Sequence, residues 1–310
     1  MFTYKTEADW DHVRHSQSIA ANVLATSLTP INIDPMNTLS LGCLQSKHIC
    51  ILVQHLNNPI SLADRMNINQ DFRTFVRTQL INILYQVYQP LSLLAKVFTH
   101  YDLHCDNVLL YSPDPNKYIE YHYHLPNKVV RFKSLYIAKI IDYGRCFFND
   151  TEGNIKSKDV YDKLCSLAVC HPDCGYQKGF SWLSQEVSPG NNHYISSQQA
   201  NQSHDLRLLR DLRDLQVQRI QTADNGFAKI LACVRYEERY GTRELIASGF
   251  PQKKINNVND IAIQLRFMVE DASRIAECDA LYADPKYSKY GDIHVYADGR
   301  AAEYTYFAGP

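Results

Sequence analysis

The residues best suited to chemistry fall in two short segments. Residues 100–111 read HYDLHCDNVLLY, which sets two histidines, two aspartates and an asparagine directly before an apolar run. Residues 137–148 read IAKIIDYGRCFF, an apolar run that ends in one acid, Asp142, with Gly144 two places on. If the two apolar runs pair as a hairpin, Asp102 and Asn107 meet Asp142 at one end of it. Polar groups brought together there are costly to bury unless something cationic compensates them. Oxygens from Asn107 and Asp142 suit a hard divalent ion, and magnesium prefers few protein ligands completed by phosphate and water. Asp102 is then left unligated beside the ion, able to accept or orient a proton. This division of labour fits phosphoryl transfer.

Several elements must position these groups. The hydrophobic spacing predicts a helix over residues 9–28, then a short apolar strand over 48–56 (HICILVQHL) closed by the turn residues Asn57, Asn58 and Pro59. Helices follow from Ser61 and over 72–97, with Pro90 expected to interrupt the second. Strands are expected over 108–111 and 136–141. Between them, 118–124 and 129–132 read as an inserted hairpin turning at Pro126–Asn127. His122 and His124 alternate along YIEYHYH and so share one face, read as a solvated hairpin face rather than a ligand pair. Residues 149–202 are polar and turn-rich. Helices are expected over 206–220, 227–240 and 261–275, and the tyrosine-rich C-terminal part reads as loop and edge structure.

Composition sets the outer bounds. The chain has 310 residues, 45% hydrophobic and 21% charged, with a net charge of -1. That length buries a sizeable core, and the balanced charge supplies no field for a polyanion, so a nucleic-acid partner is not indicated. The N-terminus, MFTYKTEADWDHVRH, is polar throughout and is not a secretory signal. No apolar run approaches the roughly 20 residues of a membrane span. Nine cysteines without framework spacing suggest a reducing, intracellular compartment. Cys165, Cys170, His171 and Cys174 offer four soft ligands within ten residues, but they lack paired C-x2-C knuckles, and free thiols are the favoured reading over zinc.

The order H-x-D-L-x-x-x-N, an apolar strand, then I-I-D-Y-G resembles the catalytic loop and metal-binding motif of the protein-kinase-like superfamily. The wording DLHCDNVLLY with IIDYGR is similar to uncharacterised serine/threonine-kinase-like proteins of large DNA viruses, which would place the protein in the host cytoplasm. The likeness covers roughly residues 1–210. It implies an α+β, bilobal fold with an abbreviated N-lobe (residues 1–56) and a larger, mainly helical C-lobe (57–310). By the same resemblance Asp102 is the catalytic base, and Asn107 and Asp142 hold Mg2+ against the phosphates of ATP. Gln54, His55 and Leu56, in the hinge that runs to Asn57, meet adenine through backbone groups, and Lys5 is the strand lysine that pairs with phosphate. Asp205, in SHDLRLL, is the buried acid that braces the catalytic loop, with a helix N-cap, for which Ser203 competes, as the alternative.

The departures from the family pattern carry implications of their own. No glycine-rich loop precedes Lys5 and no glutamate stands at the usual place in the following helix, so either the N-terminus is incomplete or the lysine–glutamate pair is absent. Tyr101 replaces the arginine that reads a phosphorylated activation loop, which implies activity independent of such phosphorylation. His104 replaces the usual lysine and resembles the small-molecule kinase branch. A protein hydroxyl is the expected acceptor. A small-molecule kinase and an inactive pseudokinase binding module remain the alternatives.

Overall fold

The computed structural model describes residues 2–4, 48–50, 56, 58–150, 155–157, 180–182, 193–195, 200–235 and 255–306. Two compact units make up the chain: Met1–His55 with Lys158–Cys174, and Leu56–Ser157 with Gly175–Pro310. The first contributes an antiparallel strand pair, β1 (Phe2–Tyr4) and β2 (His48–Cys50), with Thr3 opposite Ile49. The helix expected over 9–28 lies outside the described residues, as do Lys5, Gln54, His55 and the four zinc candidates.

The second unit begins with β3 (Ile60–Ser61) and α1 (Leu62–Asn67), whose first turn is capped by the Ser61 hydroxyl accepting from Asp64 N at 3.0 Å. A near-continuous helical rod follows: α2 (Phe72–Phe75), a π-turn (Val76–Leu80) and α3 (Ile81–Leu93). Pro90 does not interrupt it. Proline there removes one ladder bond near the helix end, and α3 stops three residues later with Leu94 N bonded to Pro90 O. Leu80, Ile83, Leu84, Tyr85 and Tyr88 are fully buried, so this rod is the centre of the core.

A polar seam crosses that apolar rod. Gln79, Asn82 and Gln86 are buried at helical spacing. Buried amides need partners, and these find them along residues 133–138, where one strand ends and the next begins. Gln79 Oε1 accepts from Leu135 N at 2.9 Å and Asn82 Nδ2 donates to Lys133 O at 2.9 Å. Gln86 donates to Tyr136 O and accepts from Ala138 N. The helix therefore fixes where the strand leading to Asp142 begins.

Beyond α3 come β4 (Phe98–Thr99), β5 (Val108–Tyr111), β6 (Lys117–Leu125), β7 (Lys128–Ser134), β8 (Ile137–Ile140), β9 (Phe147–Asp150) and β10 (Ile155–Lys156). The expected hairpin is present as β6 and β7, antiparallel and joined at Pro126–Asn127, with Leu125 opposite Lys128. The other expected pairing is also present: β5 and β8 run antiparallel with Val108 opposite Ile140, and β3 completes that sheet. A third sheet has the order β10-β9-β4, and β11 (Phe180–Trp182) pairs with β12 (His193–Ile195).

Helices α4 (Arg207–Ala223), α5 (Asn225–Ala232), α6 (Val258–Val269) and α7 (Ala272–Tyr282) follow. Two of them correct the sequence expectations. The helix expected over 227–240 ends at Ala232, because Val234 leaves to bridge Ile255 in parallel. The single helix expected over 261–275 is two, since the Asp271 side chain caps a new start by accepting from Arg274 N. The C-terminal part is also more regular than expected. β13 (Ser288–Tyr296) pairs in parallel with β6, and β14 (Glu303–Tyr306) extends the sheet to the order β14-β13-β6-β7. The second unit is thus α+β, helices and sheets together. Among the described residues no helix is long and apolar enough to cross a membrane.

Candidate functional site

The segment 100–107 joins β4 to β5 through irregular backbone that ends in a 3-10 turn (Cys105–Asn107). Irregular buried backbone must find its hydrogen bonds outside a ladder, and here a remote aspartate supplies two of them. Asp205, in a 3-10 turn (His204–Leu206), is almost wholly buried and accepts from His100 N at 2.8 Å and Tyr101 N at 3.0 Å. Its carboxylate therefore braces the 100–107 loop, and it does not cap α4. Ser203 makes no side-chain cap either; its hydroxyl reaches Arg235 O. Burial pushes the Asp205 carboxyl up to about 7, against the pull of the two N–H donors.

The Asp205 turn is itself held from both sides. Tyr88 Oη, on α3, donates to Asp205 O at 2.8 Å, and Thr99 Oγ1 accepts from Asn201 N at 2.8 Å. Asn201 Oδ1 accepts from Ser203 N and His204 N, closing the turn. The core helix, the end of β4 and the start of α4 thereby converge on one loop.

The turn after β8 docks on the same loop. His100 Nε2 donates to Ile141 O at 3.0 Å, and its Nδ1 accepts from Asp102 N at 3.3 Å, which fixes a neutral tautomer. Burial lowers the pKa of this imidazole, in keeping with that state. Asn107 O accepts from Ile141 N at 3.0 Å, one step beyond the β5–β8 ladder. Asn107 Nδ2 donates to Asp102 O at 2.9 Å, so the amide oxygen is the atom left to face a cation. Tyr101 and Asp142 both have left-handed backbone, with φ of 63° and 64°. Such conformations cost energy in non-glycine residues and persist only where their surroundings enforce them. Here the Asp205 carboxylate enforces one, and Asp142 directly follows the Ile141 pairing.

The sequence reading left Asp102 without partners, and the structure corrects this. Its side chain is 5% exposed, and each oxygen meets a guanidinium: Arg207 Nη1 donates to Oδ1 at 2.6 Å and Arg145 Nη1 to Oδ2 at 3.2 Å. His104 Nε2 lies 3.9 Å from Oδ1. A buried carboxylate needs such partners. Arg207 is itself buried, and its Nε has no hydrogen-bond partner. Both arginines stood in the quoted motifs, in DYGR and HDLR, but neither was assigned a role; what sequence spacing could not reveal is that they point at one carboxylate.

Of the residues expected to act together, Asn107 is bonded to Asp102, and Asp142 directly follows Ile141, whose backbone bonds both Asn107 and His100. Asn107 is buried and Asp142 exposed. Leu56 is half-buried. Oxygen donors on Asn107 and Asp142 match the chemistry of a hard cation.

A second polar cluster lies on the outer face of the four-stranded sheet. Among the described residues, Glu120, His122 and Asp292 form the one group of three such side chains with ligand atoms within 4.8 Å of one another. Lys289 Nζ already sits between the acids, 2.9 Å from Glu120 Oε2 and 2.8 Å from Asp292 Oδ1. His122 Nε2 bonds Asp292 Oδ1 at 2.9 Å, and His124 Nε2 pairs with His294 Nδ1 at 2.9 Å. The shared face of His122 and His124 is therefore a network of side-chain bonds with β13. Nearby, a cavity of about 250 Å³ is lined by Arg77, Phe132, Lys133, Val269, Arg274 and Cys278 among others, and by none of the 100–107 loop. Three of its cations are paired with acids, Arg77 with Glu277, Arg274 with Asp224 and Lys133 with Asp279, while Arg131 Nε donates to His122 Nδ1 at 3.3 Å.

Compared with protein-family models, with curated proteins and with solved structures, the chain matches none.

Proposed function

We infer that the protein is a kinase-like phosphotransferase that moves the γ-phosphate of ATP to a protein serine or threonine hydroxyl with Mg2+. The observation that carries this reading is the assembly around the 100–107 loop. Asp205 fixes its backbone from one side, Asn107 turns its amide onto Asp102 O, and Asp142 follows directly on a strand bonded to Asn107. Such a layout would suit an amide oxygen and a carboxylate turned to one cation, next to a carboxylate able to orient a hydroxyl. Asn107 and Asp142 would hold magnesium, which neutralises charge on the phosphates. Leu56, with Gln54 and His55, belongs to the adenine contact in this reading, and Lys5 to the phosphates. The kinase-like bilobal fold is part of the same proposal.

In the chemical step, the acceptor oxygen attacks the γ-phosphorus, the bond to the β,γ-bridging oxygen breaks, and ADP leaves. Asp102 orients the hydroxyl and takes its proton. A second reading, a nucleotide-binding module without turnover, is favoured by the two guanidinium groups that occupy the Asp102 oxygens.

Incubation with γ-labelled ATP, Mg2+ and mixed protein acceptors tests the function. Label transfer is expected from the parent chain and is expected to disappear in Asp142→Asn or on chelation of the metal. Nucleotide binding without transfer by the parent protein would support the non-catalytic reading. Consumption of ATP with a small hydroxyl or amino compound, without labelled protein, would move the acceptor to a small molecule.

A further inference from the structure

The two guanidinium groups on Asp102 differ in kind. Arg207 belongs to the first turn of α4, directly after the Asp205 turn that holds the loop backbone. Its side chain is 11% exposed and its bond to Oδ1 is 2.6 Å. Arg145 sits three residues past Asp142 on the exposed turn after β8, is 31% exposed, and reaches Oδ2 at 3.2 Å. One contact is short, buried and on a rigid element. The other is longer, more open and on a loop next to the carboxylate proposed to hold magnesium.

We propose that Arg145 is an exchangeable cation that leaves Asp102 for the phosphate tail of the nucleotide, while Arg207 stays as the fixed positioning residue for that carboxylate. The proposal rests on the phosphotransfer reading and adds a regulatory element to it. With Arg145 on Oδ2, one lone pair of that oxygen is occupied and a guanidinium charge lies beside it, so the resting site holds a weakened base. An entering polyphosphate offers Arg145 more negative charge in a geometry that its planar fork matches. Its departure frees Oδ2 to take the hydroxyl proton when the new oxygen–phosphorus bond forms and the bridging bond breaks. Arg207 keeps Oδ1, so the carboxylate does not swing away when its second partner goes.

The test separates binding from turnover. Inorganic tripolyphosphate is titrated calorimetrically into the parent protein and Arg145→Gln, and steady-state kinetics with MgATP are measured for both and for Arg207→Gln and Arg207→Lys. Arg145→Gln is expected to weaken tripolyphosphate binding and raise KM for ATP by about tenfold, with a smaller change in kcat. Arg207→Gln is expected to lower kcat by about tenfold with KM within about threefold, and Arg207→Lys to recover part of that loss. Should Arg207→Gln fail to fold, the lysine variant alone decides that arm. Unchanged tripolyphosphate affinity in Arg145→Gln, or no binding to the parent chain, overturns the exchange. Equal effects of both arginines on KM and kcat overturn the division of roles. If the parent transfers no phosphate while Arg145→Gln still weakens tripolyphosphate binding, the catalytic reading falls and the anion role of Arg145 stands.

Discussion

Around Asp102, two arginines and a histidine meet one carboxylate whose side chain is 5% exposed. Around Asp292, a lysine, a glutamate and a histidine meet a carboxylate that is 15% exposed. The ingredients are alike, yet the two clusters are held differently. The first sits on irregular backbone whose N–H groups are taken by Asp205 and whose carbonyl is taken by Asn107. The second sits on β6 and β13, where the strand ladder already satisfies the backbone and only side chains link the charges. Removing a group from the first releases a loop; removing one from the second leaves a sheet intact. A polar cluster built into the backbone is therefore the better candidate for chemistry than one laid across a finished sheet.

The sharpest way to break that contrast is Asp205→Ala. Above about pH 7, where the carboxyl is ionised, it removes two hydrogen bonds to a buried charged acceptor, each worth roughly 1.5–3 kcal/mol, so a loss of about 3 kcal/mol or more is expected in urea unfolding. A loss under about 1 kcal/mol would put the two clusters on the same footing. Next comes turnover. If the proposed function holds, Asp102→Asn lowers kcat by about a hundredfold or more, whereas Glu120→Gln leaves label transfer unchanged. Comparable losses from both would mean the outer face takes part in the chemistry.

A smaller effect concerns pH. Burial holds the His100 pKa below its ordinary value. As pH falls through about 6.5, the unfolded chain takes up a proton that folded His100 resists, so acidification weakens the fold. Asp205, pushed up to about 7, acts the other way: folded, it keeps a proton that the unfolded chain loses above about pH 4, so its contribution falls as pH rises between those values. The readout is accordingly the difference between parent and His100→Asn. Its thermal midpoint is expected to fall less than the parent's between about pH 7.5 and 5.5; parallel curves would count against a buried neutral imidazole. The smallest effect belongs to Lys289→Ala. This partly exposed ion pair should cost less than about 1 kcal/mol and weaken further in salt.

Much of the local architecture was legible in the chain. The apolar runs flanking Asp102 and Asp142 pair as expected, and the Pro126–Asn127 turn closes the expected hairpin. Those signals are short-range, because alternation and turn residues act over a few positions. The C-terminal strand was missed for the opposite reason. β13 earns its place by parallel pairing with β6, about 170 residues away in sequence, and nothing local in SKYGDIHVY announces that partner. The helix boundaries near Ala232 and Asp271 were misread because a bridge to Ile255 and a side-chain cap outweighed continuous apolar spacing.

For the candidate site, the residue types and the spacing of Asp102, Asn107 and Asp142 were fixed by the chain alone, since each lies beside an apolar strand whose pairing brings its neighbours to one end. Only the tertiary structure decided that Asp205 braces the loop rather than capping a helix, and that Arg145 and Arg207 close on Asp102. Those contacts join segments separated by as many as 105 positions. A linear pattern states which groups are present. Where a guanidinium points is settled only when the buried carboxylate it compensates has been folded into place.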